Sequence, residues 1–166
     1  MTSTFLLEKL RAAHAQHPAI MPMGDTVGFW VEQIEAGSAT VVIDAARRHA
    51  NAMGATHGGL LFLLADTAAG LAYLALLPEG ESGTTVEMKI NFLRPVWETR
   101  LRAEARIVQH GGSLGLAECD VRDSDGRLVA RAMATMMRLT GRATEGRVAV
   151  CGENVKPQGA IDDGSE

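Results

Sequence analysis

The stretch that most restricts what this chain can fold into is Leu60–Leu77, LLFLLADTAAGLAYLALL, eighteen residues with a single charge, Asp66. Strands seldom exceed ten residues, so an alanine- and leucine-rich run of this length predicts a helix. It is apolar on every face, which predicts burial on all sides. A carboxylate inside such a helix must be paired, hydrogen-bonded or protonated, because a bare buried charge is costly. It then serves either as a structural tie or as a base tuned by its apolar surroundings. The run is borderline for a membrane span. However, a central Asp costs roughly 2.5–3.5 kcal/mol on insertion scales and no basic cluster flanks it, so no membrane partner is expected.

The residues before the run, Asn51-Ala-Met-Gly-Ala-Thr-His-Gly-Gly59, supply the start of the helix. Thr56 is the expected N-cap. The first N–H groups of a helix lack internal partners and carry the positive end of its dipole. Glycines there, Gly58 and Gly59, let a ligand oxygen approach the backbone, as a carbonyl turning into an oxyanion would. Asp66 lies eight residues past Gly58, about 12 Å at ~1.5 Å per residue. That is too far for both to reach one carbonyl within one chain. Cooperation between them implies a two-fold dimer, Gly58 of one copy facing Asp66 of the other.

The remaining pattern surrounds this helix with strands. Residues 3–16 read as a short amphipathic helix with Phe5, Leu6 and Leu10 on one side, followed by a connector at Pro18–Pro22. His14 and His17, spaced i, i+3, lack a third metal ligand nearby, and no metal is expected. Val27–Ile34 and Ala39–Ile43 have strand composition about a turn at Glu35–Ser38. Arg47, Arg48, His49 and Asn51 sit in the loop entering the central motif. After a break at Pro78–Gly83, Val86, Met88, Ile90 and Phe92 alternate with Thr85, Glu87, Lys89 and Asn91. Leu101–Ile107, Ser113–Asp123 and Leu128–Leu139 follow, with turns at His110–Gly112 and Ser124–Gly126. Long strands joined by tight turns predict an antiparallel meander, and the whole predicts an α+β fold. The expected organisation is an N-terminal helix and connector over 1–24, a folded domain over 25–140, and a polar, flexible tail over 141–166.

Composition narrows the partners. A net charge of −4 argues against nucleic acid. The two cysteines, Cys119 and Cys151, form neither a disulfide framework nor a metal motif. The N-terminus is broken by Glu8, Lys9 and Arg11, unlike a signal peptide. A cytoplasmic location is expected.

The spacing Asn51…His57-Gly58-Gly59…Asp66, followed by the strand Gly83-Thr-Thr-Val-Glu-Met-Lys-Ile-Asn-Phe-Leu-Arg-Pro95, resembles the PaaI-type thioesterases of the hotdog superfamily over residues 25–139. That resemblance implies a long central helix wrapped by a curved antiparallel sheet. It also implies dimers, or homotetramers built as dimers of dimers, with sites between subunits. The implied activity is acyl-CoA hydrolysis without a cofactor, on a small aromatic, phenylacetyl-like, or a medium-chain acyl group. By the same resemblance, the Gly58 backbone amide polarises the thioester carbonyl. Asp66 acts as general base or nucleophile. Asn51 orients the water or the thioester, and His57 fixes the loop. Thr85 helps place the nucleophilic water, with Thr84 as the neighbouring alternative because the preceding loop varies in length. Gly59, Met53, Leu61, Leu64, Thr84 and Met88 are candidates to line the substrate pocket. Arg94, Arg100, Arg102, Arg122 and Arg138 offer charge for coenzyme A phosphates, though most suit a solvated strand face equally well.

Other readings are weaker. Gly111-Gly-Ser113-Leu-Gly115 fits the esterase pattern G-x-S-x-G, but no histidine follows His110 and the context is strand–turn–strand, so a hairpin is expected. Cys119 lies in a strand with no histidine near it in sequence and reads as structural. Related hotdog hydratases and dehydratases acting on acyl thioesters carry a His a few residues after the Asp, and here none occurs between Asp66 and His110. A non-catalytic acyl-CoA-binding protein would gain from an apolar residue at position 66.

Overall fold

The apolar run folds as the helix α3 (Gly58–Leu74). The computed structural model of the chain describes residues 5–145. Helix α3 stops before the run does. Leu76 and Leu77 bond back only to the carbonyls of Tyr73 and Leu74, at 3.0 and 3.1 Å, a tightened last turn, and Pro78 disfavours continuation. Among the described residues no helix is long and apolar enough to cross a membrane.

Six strands, β1 (Phe29–Glu35), β2 (Ser38–Ala45), β3 (Ser82–Phe92), β4 (Thr99–His110), β5 (Leu114–Arg122) and β6 (Leu128–Leu139), make one antiparallel sheet in the order β1-β2-β4-β5-β6-β3. Helix α3 packs against this sheet. Period-two alternation assigns the inner face: Leu101, Ala103 and Ala105 of β4, Ala117, Cys119 and Val121 of β5, and Ala130, Ala132, Ala134 and Met136 of β6 are all buried. This is the expected α+β hotdog arrangement. The meander is real for β4–β5–β6, and the G-x-S-x-G match falls in its first hairpin, where the Gly111 N–H donates to the Leu114 carbonyl at 2.8 Å. Strand β3 does not adjoin β4. It crosses to pair with β6 and becomes an edge of the sheet.

Several local expectations need correction. Helix α1 (Phe5–Gln16) buries Leu7, Leu10 and Ala13, whereas Phe5 is exposed beneath the Lys9 ammonium. Because Leu7, Leu10 and Ile20 join the main core, α1 is packed on the domain. The connector contains a second short helix, α2 (Pro22–Val27), opened by Pro22 and closed by Gly28 at φ 94°, a left-handed conformation that favours glycine. Helix α3 is not covered all round. Phe62, Leu63, Asp66, Thr67 and Gly70 form a partly exposed stripe at helical spacing. The expected tail begins with a 3-10 turn at Gly141–Thr144, and from residue 146 onward it lies outside the described residues.

Tyr73, the only tyrosine, locks α3 onto the sheet. A Cβ on Gly83 of β3 would stand 2.8 Å from its Cδ1, and one on Gly115 of β5 would stand 2.6 Å from its Cε2. The ring therefore occupies space that only glycine leaves. Its hydroxyl is buried and has no hydrogen-bond partner among the described residues, and burial pushes the phenol above its ordinary pKa. Gly115→Ala should destabilise the fold by about 1–3 kcal/mol through overpacking. This should appear as a lower urea midpoint at unchanged slope, and an unshifted midpoint would refute the close fit.

Candidate active site

Helix α3 opens at His57, which sits in extended backbone and accepts the Gly59 N–H on Nδ1 at 2.9 Å. The proton of the neutral ring is therefore on Nε2. The His57 carbonyl accepts the Leu60 N–H at 3.0 Å. Of the first three amides of the helix, that of Gly58 alone has no partner among the described residues. His57, not Thr56, is thus the cap. Thr56 is held to the β3–β4 connection instead. Its N–H donates to the Val96 carbonyl at 2.8 Å and its hydroxyl to the Trp97 carbonyl at 3.1 Å. The competing partner, remote in sequence, overrides the local preference for a threonine cap. Gly58 also faces Phe92 at the end of β3: a Cβ there would lie 3.1 Å from the ring Cζ.

Asp66 lies two turns further on, within the partly exposed stripe. The Thr85 hydroxyl donates to its Oδ1 at 2.8 Å. Strict alternation would put Thr85 on the opposite face of β3 from Met88 and Ile90. A β-bulge removes the conflict, because Thr85 pairs with Met136 and Glu87 with Thr135, leaving Val86 as an extra residue. Thr85 then faces α3 together with Met88 and Ile90, which pack against the core. Thr84, one residue earlier, turns the other way. Of the two threonines, Thr85 is the one that bonds Asp66.

The remaining candidates are more dispersed. Asn51 turns its Oδ1 onto the Met53 N–H at 2.9 Å, an Asx turn that shapes its own loop. Met53 is 87% exposed, whereas Leu61 and Leu64 are core residues and Met88 is half-buried. Cys119 is buried and its thiol is pushed up to about 12, chiefly by burial, with Asp120 and Glu104 adding to it. It is inert at neutral pH. Among the described residues no group of three or more His, Cys, Asp or Glu side chains could hold a metal. Phe92 did not stand out in the sequence as a site residue. Its signal was its place in the N-F-L-R-P strand end.

A family model described as the Thioesterase superfamily matches residues 53–130, a span holding Gly58, Asp66 and Thr85. A Saccharolobus solfataricus protein named "Putative esterase" is 30% identical over 105 residues, 63% of this chain and 74% of its own. The chain belongs to the thioesterase superfamily. Its activity is thioester hydrolysis. Solved structures agree. A thioesterase family protein from Silicibacter pomeroyi superposes with a TM-score of 0.72 at 29% identity, over 81% of this chain and 98% of that one. A mutant of the phenylacetic acid degradation protein PaaI from Thermus thermophilus gives 0.67 at 28%, over 72% and 100%. For a thioesterase, a free amide at a helix end and a hydroxyl-bound carboxylate are suitable parts: one can hold an oxyanion, the other can take a proton or attack.

The His57 cap is testable. His57→Ala should lower stability by about 1 kcal/mol, while His57→Asn, which can also cap, should lose less. Thermal unfolding of the two variants beside the parent decides it, and equal losses would refute the capping role.

Proposed function

We propose that this thioesterase hydrolyses acyl-CoA, carrying a small aromatic, phenylacetyl-like, or a medium-chain acyl group, in sites built across a two-fold dimer. The observation that carries this reading is the placement of the free Gly58 amide and the Thr85-bound Asp66 on one unbroken helix. The helix holds them about 12 Å apart at ~1.5 Å per residue. Each therefore needs its counterpart from a second copy. Strand β3 supports the pairing, since it leaves an open edge eleven residues long with Val86 and Phe92 exposed, an edge suited to another β3. The uncovered stripe of α3 adjoins that edge where Thr85 meets Asp66. Association of two dimers into a tetramer follows the family pattern.

In the reaction, Gly58 of one copy takes the carbonyl oxygen as charge builds on it. Asp66 of the other, held through Oδ1 by Thr85, keeps Oδ2 for the attacking water as general base, or for the carbonyl carbon as nucleophile. The thiolate is a good leaving group and needs no strong acid. Asn51 and His57 maintain the loop that presents Gly58. The phenylacetyl-like preference draws on the name of the Thermus relative. A hydratase is less well supported, because it needs an imidazole beside Asp66. His110 lies edge-on to Tyr73, ring centroids 5.7 Å apart, two turns away from the acid.

Thiol release from aromatic and aliphatic acyl-CoAs tests the chemistry. Asp66→Asn should lower turnover by roughly 10²-fold or more while leaving the fold intact, and undiminished turnover would overturn the mechanism. Gly58→Pro removes the amide hydrogen at a position where proline suits a helix start, and should cost roughly 10²–10³ in rate. If the site spans two subunits, co-refolding Asp66→Asn with Gly58→Pro chains should restore about a quarter of parental activity, because each mixed dimer has one intact site. Persistent inactivity of properly mixed dimers would place both groups in one chain.

A further inference from the structure

The structure has one depression beside the Gly58 turn that the reaction itself does not use. It has a volume of about 470 Å³ and lies between two walls, within the size range of small-ligand pockets. One wall is the loop from Ala46 to Thr56, with Arg47 and Asn51; the other is Trp97 and Glu98. Alanines and a glycine make up much of the first wall, which leaves the space open. The walls are tied together and to the helix start: Thr56 bonds to the Val96 and Trp97 carbonyls, and the His57 N–H donates to the His49 carbonyl at 2.8 Å. The depression is therefore preformed and fixed relative to Gly58.

Charge points to what it takes. The arginines offered by the sequence for phosphate binding are largely committed: Arg100 to Asp44, Arg102 to Glu32, Arg122 to Asp120 and Arg138 to Glu81. Arg47, Arg48 and Arg94 form no ion pair among the described residues. Of these Arg47 lines the depression. On the facing wall Trp97 is 60% exposed, a broad π-surface beside a carboxylate. A guanidinium suits phosphate, an indole suits a stacked base, and Glu98 can accept from an exocyclic amine.

We propose that this depression seats the phosphorylated adenosine end of the thioester's carrier, with Arg47 on phosphate and Trp97 against the adenine. The assignment rests on the acyl-CoA reading above and adds where the carrier is held. It makes Arg47 and Trp97 determinants of carrier recognition, acting outside the chemical step.

The first test needs no turnover. Adenosine 3′,5′-bisphosphate should quench tryptophan fluorescence of the intact protein saturably. The quench should vanish in Trp97→Phe, and its midpoint should move roughly 10- to 100-fold higher in Arg47→Gln, the loss expected for one charge-assisted hydrogen bond. Absence of quenching in the parent, or quenching that survives in Trp97→Phe, would overturn the site. The second test compares kcat/KM for an acyl-CoA with that for the same acyl group on N-acetylcysteamine, which lacks the nucleotide. The parent's preference for the full carrier should shrink by a similar factor in Arg47→Gln, mostly through KM, and an unchanged preference would overturn the assignment. Failure of the parent to release thiol from either thioester would overturn the hydrolytic reading, and the nucleotide titration would still decide this one.

Discussion

Helix α3 is a rigid spacer, and most of what this protein does depends on that. One continuous ladder of hydrogen bonds runs from Gly58 to Leu74, so the Gly58 amide and the Asp66 carboxylate cannot approach each other. The sheet keeps the helix straight against its inner face with residues no larger than packing permits. Alanines recur at 103, 105, 117, 130, 132 and 134, and Tyr73 sits in the gaps left by Gly83 and Gly115. Shape complementarity of this kind fixes position more tightly than apolar burial alone.

The two ends of the helix environment are prepared differently. At the start, the capping satisfies the neighbouring amides, while that of Gly58 has no partner among the described residues. In the middle, a hydroxyl from the sheet holds one oxygen of Asp66 and leaves the other. Both are cases of a polar group kept partly unsatisfied within an otherwise satisfied frame, which is where reactivity is usually stored. The exposed arginines on the outer face of the sheet do the opposite. Paired with Asp44, Glu32 and Asp120, they contribute little to stability.

Much of this was legible in the sequence, for identifiable reasons. The helix showed because no strand could be so long. Asp66 stood out because a lone charge in an apolar run demands a partner, and the motif resemblance pointed to Thr85 as well as Gly58. What stayed hidden was set by distant contacts. The Thr56 cap failed because carbonyls forty residues later claim its polar groups. Strand β3 was legible as a strand, but its neighbour β6 was not, since that pairing is chosen by how the sheet closes around the helix. The uncovered stripe through Phe62 and Asp66 could not be read from a run apolar on every side. Helix α2 was foreshadowed by Pro22 and Gly28, but six residues are too few for periodicity to appear.

The extra residue in β3 carries a consequence for how such a chain can vary. Val86 is 54% exposed, and its side chain supports neither the core nor the acid. What it contributes is one unit of length, which turns Thr85 toward Asp66 without moving Met88 and Ile90. Many side chains would serve at 86, whereas deleting the position would turn either the hydroxyl or the apolar pair to the wrong face. Selection here acts on a residue's presence more than on its identity. A survey of substitutions would therefore rank as dispensable a position whose loss the site could not survive.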